Sequence, residues 1–153
     1  MNDKRTIGVG VVSLGWMGRL HTRAYKALKE KYPEIEAEIE LVSCCDPLEE
    51  NQRQATEVLG FRRAVSDYRE LINDPQVDVV DICSPNFLHH EIAMAAIEAG
   101  KPFWIEKPMG ISAEQSADIA RGAEAGGLIT SVGFNYRHVP AVQYARQLIA
   151  DGR

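Results

Sequence analysis

The sequence predicts an α/β protein, a doubly wound parallel sheet of six strands in the order 3-2-1-4-5-6. Three observations carry that expectation. Short β-branched or aromatic segments alternate with helical patterns along the chain. Several of the short segments are apolar at consecutive positions, as strands buried on both faces should be. A turn containing two glycines, Ser13-Leu14-Gly15-Trp16-Met17-Gly18, joins the first such segment to the first helical pattern. Alternation of this kind gives βαβ units with right-handed crossovers, which leaves few other topologies.

The strands are expected at Thr6–Val12, Ile39–Cys45, Arg63–Val65, Val77–Cys83, Phe103–Ile105 and Leu128–Phe134. Leu20, Ala24 and Leu28 recur at helical spacing after the first strand. Leu88, Ile92, Ala95, Ala96 and Ala99 do so after the fourth, and Gly100 stops that helix. Ser112 with Gln115 reads as a capping box, and Gly126-Gly127 ends the helix it opens. Pro140 suits the first turn of a last helix carrying Ala141, Tyr144, Ala145, Leu148 and Ile149. Glu34, Glu36, Glu38 and Glu40 read as a solvated edge before the second strand.

Composition excludes several classes. The 153 residues are 45% hydrophobic and 25% charged, as in an ordinary globular domain. That length fits one domain. With 17 Lys+Arg against 22 Asp+Glu, the net charge is −5, and there is no long basic run. Nucleic acid and anionic membrane are therefore not expected as partners. No apolar stretch approaches a membrane span. Lys4-Arg5 before Ile7 loosely imitates a leader, but glycines interrupt the apolar run and no cleavage site follows. Three cysteines, two of them adjacent at Cys44 and Cys45, form no disulfide framework. They are expected to be unpaired and buried in a cytoplasmic protein, with no metal site.

The glycine turn lets backbone approach a pyrophosphate, and the helix behind it supplies free N–H groups and a partial positive charge. The usual pattern is G-x-G-x-x-G, and Ser13 stands at its first glycine. Asp46, at the end of the second strand, can accept hydrogen bonds from ribose hydroxyls and repel a 2′-phosphate, which favours NAD while leaving NADP possible. Arg62 and Arg63 could meet a 2′-phosphate, but a solvated pair is the plainer reading. Ser84-Pro85-Asn86 ends the fourth strand, with His89 one turn on. Asn86 could simply cap the helix, and a lone His89 could simply pack. Glu106-Lys107-Pro108 ends the fifth strand; an ammonium there can stabilise a developing alkoxide and relay its proton.

Together these residues resemble the Gfo/Idh/MocA oxidoreductases, the family of glucose–fructose oxidoreductase and inositol dehydrogenase. The resemblance rests on Gly15-Trp16-Met17-Gly18-Arg19-Leu20-His21, Cys45-Asp46-Pro47 and Ser84-Pro85-Asn86-Phe87-Leu88-His89. It continues through Gly100-Lys101-Pro102, Glu106-Lys107-Pro108 and Gly133-Phe134-Asn135-Tyr136-Arg137, in family order over nearly the whole chain. It implies a Rossmann NAD(P)-binding domain and hydride transfer between nicotinamide and a hydroxyl carbon of a sugar, inositol or related polyol.

Residue by residue, the resemblance implies that Ser13, Gly15, Trp16, Met17 and Gly18 bind pyrophosphate and Asp46 the ribose. Ser84, Asn86 and His89 flank the nicotinamide half, and Glu106 contacts the cofactor. Lys107 is the catalytic lysine, Asn135 lies near the nicotinamide and Arg137 near the substrate. It further implies a cis Lys107–Pro108 bond. The family continues into a second α/β domain that binds substrate and builds oligomers, and this chain stops at Asp151-Gly152-Arg153, about where that domain begins. Residues 1–153 are thus expected to be the dinucleotide-binding domain, inactive alone, with oligomer contacts lying in the absent C-terminal domain. The alternative is a non-enzymatic dinucleotide-binding sensor or partner module.

Overall fold

A computed structural model describes residues 5–153. Lys4, part of the basic start weighed above as a leader, lies outside that range. Six strands form one parallel sheet: β1 (Thr6–Val12), β2 (Glu38–Cys45), β3 (Arg63–Val65), β4 (Val79–Ile82), β5 (Phe103–Ile105) and β6 (Thr130–Val132). Their spatial order is β3-β2-β1-β4-β5-β6, and every neighbouring pair is parallel. This is the expected topology. β4 and β6 are shorter than the apolar segments that announced them, losing residues at both ends: Val77 and Asp78 before β4 and Cys83 after it, Leu128 and Ile129 before β6 and Gly133 and Phe134 after it.

The helices are α1 (Trp16–Lys31), α2 (Glu49–Gln54), α3 (Tyr68–Ile72), α4 (His89–Glu98), α5 (Ala113–Ala125) and α6 (Pro140–Ala150). They cover the sheet on both faces. On one side Leu71, Ile92, Ala96 and Ile119 pack on Val12, Ile82 and Ile105. On the other, Leu14, Ala55, Phe61 and the half-buried Tyr25 pack on Val9, Val11 and Cys44. Fully burying an aliphatic side chain of this kind contributes roughly 1.5–3 kcal/mol.

Helix α1 departs from its sequence pattern. Leu20 and Ala24 are exposed and Leu28 only half-buried, whereas Gly18 and Thr22 are buried and His21 and Tyr25 are half-buried. The face turned to the sheet is the polar one. Thr22 satisfies its hydroxyl on the Gly18 carbonyl at 2.7 Å, and Tyr25 bonds Asp81 at 3.0 Å. A buried strand acid on β4 thus outweighs the aliphatic stripe in choosing the inward face.

Elsewhere the local signals hold. Ser112 Oγ accepts from the Gln115 N–H at 3.2 Å, while Gln115 Oε1 reaches back to the Ile111 N–H at 3.2 Å. Glu40 pairs with Arg62, Glu38 with Lys29, and Arg63 Nε lies 3.1 Å from Asp74. The charged edge is therefore partly paired, and both arginines are engaged away from Asp46. Helix α6 buries none of its residues among those described, and Tyr144 and Ile149 are exposed.

Ser13 sits at φ 79°, in the left-handed region where a side chain meets its own backbone. Its weak Oγ contact with the Gly15 N–H, 3.4 Å, offsets little of this cost. Ser13→Gly should therefore raise unfolding stability by about 1 kcal/mol, read as a higher urea midpoint at unchanged m-value.

Candidate cofactor and active site

The C-terminal ends of β1, β2 and β4 open onto a crevice of about 520 Å³. This is where the strand order reverses between β1 and β4, the place where such sheets bind ligands. Gly18 is what allows the first wall. A Cβ there would come within 1.9 Å of the Ser13 carbonyl oxygen, so only glycine lets α1 start so close to β1. Gly15 precedes the first turn of α1, which has neither a side-chain cap nor an acid. Its N–H groups thus have no side-chain cap, and the helix dipole puts a partial positive charge there. Trp16 is exposed and Met17 half-buried on that turn.

Asp46 lines the crevice yet is only 3% exposed. Its Oδ2 accepts the Leu14 N–H at 2.8 Å and its Oδ1 the Leu48 N–H at 3.0 Å. One carboxylate thus ties the loop after β1 to the loop after β2. Each oxygen has a second lone pair, so the acid retains capacity for hydroxyl donors. Across the crevice, Ser84 Oγ is buried with no hydrogen-bond partner among the described residues. A buried hydroxyl of this sort calls for a ligand or water to satisfy it. An uncapped helix start, an acid with spare acceptor sites and an orphaned hydroxyl fit a dinucleotide.

His89 is buried, with Nε2 2.9 Å from the Ser84 carbonyl and Nδ1 2.9 Å from the Pro108 carbonyl. Asn86 Nδ2 donates to the same Pro108 carbonyl at 2.6 Å. Both residues therefore fasten the loop after β4 to the turn after β5. The Lys107–Pro108 peptide is cis, and Lys107 is exposed. A second cavity of about 320 Å³ brings Lys107 together with Asn135, Tyr136 and Arg137. Glu106 lies behind it, 7% exposed. Gly133 makes room for that acid, since a Cβ there would sit 2.5 Å from Glu106 Oε1.

One cluster has no counterpart in the expected site. His21 Nδ1 lies 2.9 and 3.1 Å from the two oxygens of Asp81, and Nε2 lies 3.3 Å from Glu106 Oε1. The Tyr25 hydroxyl and the Cys83 thiol complete it, both donating to Asp81. Burial works to lower the His21 pKa, but hydrogen bonding and charge from Asp81, then Glu106, outweigh it and raise the value above 6.5. The bound proton stabilises the fold: fully below about pH 6.5, progressively less as pH rises through the folded-state value. The signal in the sequence was Asp81 itself, a charge inside an apolar strand, with His21 and Tyr25 four apart on the facing helix.

The sheet order and the crevice at its switch point define a Rossmann-type dinucleotide-binding fold, and the comparisons agree. A family model described as an oxidoreductase family with an NAD-binding Rossmann fold matches residues 7–134. The chain belongs to this family, Gfo/Idh/MocA. It is 36% identical, over 97% of its length, to a levoglucosan dehydrogenase of Pseudarthrobacter phenanthrenivorans, covering 38% of that protein. It is 30% identical over 99% of its length to an inositol 2-dehydrogenase/D-chiro-inositol 3-dehydrogenase of Lactiplantibacillus plantarum, covering 42% of it. Among solved structures, an NAD-binding oxidoreductase from Klebsiella pneumoniae superposes with a TM-score of 0.88 at 40% identity, over 98% of this chain and 40% of that one. Levoglucosan dehydrogenase in complex with NADH and levoglucosan gives 0.89 at 36%, over 97% of this chain and 40% of that one. The chain thus spans about two-fifths of the length of these relatives.

All three cysteines are buried and free of disulfides. Burial, then the charge of Asp46, pushes the Cys45 thiol up to about 12. Burial raises Cys44 and Cys83 as well, with Asp46 and Asp81 respectively adding to it. Thiolate is the reactive form. The native chain near pH 8 should therefore resist a disulfide-exchange reagent, while the urea-unfolded chain releases the signal of all three thiols.

Proposed function

We propose that these residues are the cofactor-binding half of an NAD-dependent dehydrogenase acting on a sugar, inositol or related polyol. The observation that carries the reading is convergence. An uncapped helix N-terminus stands at the middle of a crevice with Asp46 on one side and, beyond Ser84, Lys107 with its own cavity on the other. The substrate class is supported by what the relatives are named for, levoglucosan and inositols.

When bound, the nicotinamide supplies the hydride acceptor. The chain's own residues bind and orient. Backbone of Ser13, Gly15, Trp16, Met17 and Gly18 receives the pyrophosphate, and Asp46 the adenosine ribose hydroxyls. Ser84, Asn86 and His89 shape the wall toward the nicotinamide half, with Glu106 and Asn135 beside it. Lys107 holds the substrate hydroxyl and takes part in moving its proton, and Arg137 contacts the substrate. Substrate orientation and a general-base partner come from a second domain. NAD is favoured over NADP because Asp46 opposes a 2′-phosphate while Arg62 and Arg63 are held by Glu40 and Asp74. Three free buried cysteines suit a cytoplasmic, reducing compartment.

The 153-residue chain should bind NADH, quenching or enhancing Trp16 fluorescence on titration, yet give no NADH in an absorbance assay over a polyol panel. Orientation accounts for roughly 7–11 kcal/mol of such barriers and acid–base help for about 10²–10⁴-fold. A flat titration with folded protein removes the cofactor reading; turnover by this chain alone removes the claim that a second domain is required.

Asp46→Ser should weaken NAD about tenfold and lower the NAD:NADP preference, read from the two dissociation constants. It should also cost about 1–3 kcal/mol of stability, because the Leu14 N–H loses its buried acceptor.

A further inference from the structure

His21 stands between two carboxylates, one on each ring nitrogen. A neutral imidazole has one N–H and can donate to only one of them; the imidazolium donates to both. Asp81 is fully buried on β4, the strand beside the crevice, and Glu106 ends β5 next to Lys107. The other titratable groups on the cluster are Tyr25 from α1 and Cys83 after β4. Both are raised by burial and the Asp81 charge, and so stay neutral. The Trp104 ring meets His21 edge-on at 6.0 Å and closes the remaining side. With the Tyr25 and Cys83 protons retained, His21 is the group whose charge changes by one unit when it gains or loses a proton.

We propose that the proton on His21 is coupled to the redox state of the nicotinamide. The inference rests on the reading above, in which the nicotinamide half lies against Glu106. The oxidised ring carries a positive charge and the reduced ring none. A cation beside Glu106 competes with the proton held behind that same carboxylate. NAD+ binding accordingly loosens the His21 proton, NADH binding does not, and the cluster holds its proton more firmly once the cofactor is reduced. No bond in the cofactor is made or broken by this coupling; a proton only moves between His21 and solvent.

Linkage fixes the reciprocal effect. As pH rises and His21 loses its proton, the cluster gains a negative charge, so NAD+ tightens relative to NADH. The ratio of the NAD+ to the NADH dissociation constant should fall on the order of tenfold between about pH 6 and about pH 9.5, the scale of one partly screened charge. Phosphate and ribose contacts are common to both cofactors and cancel in the ratio.

The test measures both dissociation constants across this range for the 153-residue chain and for His21→Gln, which keeps a neutral donor but cannot titrate. The expected result is a falling ratio in the parent chain and a flat one in the variant. In parallel, the His21 ring signals of the isotope-labelled parent chain are followed by NMR, so that the outcome does not depend on the variant folding. Their titration midpoint should be lower with NAD+ than with NADH. Equal midpoints, or a ratio independent of pH in a chain that binds both cofactors, overturn the coupling alone. A ratio that still falls in folded His21→Gln assigns the proton to another group such as Lys107 and overturns it too. A chain that binds neither cofactor overturns the coupling together with the cofactor reading.

Discussion

The close approach of Gly18 to the Ser13 carbonyl is the constraint on which the crevice depends. With no side chain at Gly18, helix α1 begins directly against the end of β1. Its N-terminal turn is then fixed at the point where the strand order reverses. The same placement carries the helix across the sheet so that His21 and Tyr25 land on Asp81. Displacing the helix start would move both the uncapped first turn and the buried cluster, though they lie on different turns of the helix.

The two ends of the crevice are built by different means. At the β2 end a single side chain does most of the holding, with the Asp46 carboxylate accepting N–H groups from two loops. At the β5 end several side chains share it. His89 and Asn86 converge on the Pro108 carbonyl, and His21 braces Glu106 from behind while Gly133 leaves it room. The first arrangement gathers backbone donors from two loops on a single acid. The second contains a titratable ring, so its charge varies with conditions.

The parallel sheet was legible because consecutive apolar runs and βα alternation are properties of short stretches, and the six strands appeared in the expected order. Turn chemistry was legible for the same reason, as at Ser112 and at the helix-ending Gly126-Gly127. The inward face of α1 was not, because Leu20, Ala24 and Leu28 form a respectable stripe and only knowledge of Asp81 on a neighbouring strand reverses it. Asp46 was readable as an acid at a strand end, but its burial and its two backbone bonds depend on loops that meet only in three dimensions. The contacts of His89 depend likewise on Pro108, a partner from a different βα unit.

In the function proposed above, Asp46 serves the architecture and the ligand at once, and that has an evolutionary consequence. A lineage drifting toward the other dinucleotide cannot simply discard this acid, since its loss unfastens the loops after β1 and β2 before any new preference is gained. The more accessible path runs through its neighbours. Leu48 is 61% exposed at the mouth of the crevice, and Asn51 stands one turn further on. A basic side chain at either position could meet a 2′-phosphate while Asp46 goes on holding the loops. Descendants that switched cofactor would then carry the old acid as a fixed relic and record the change beside it.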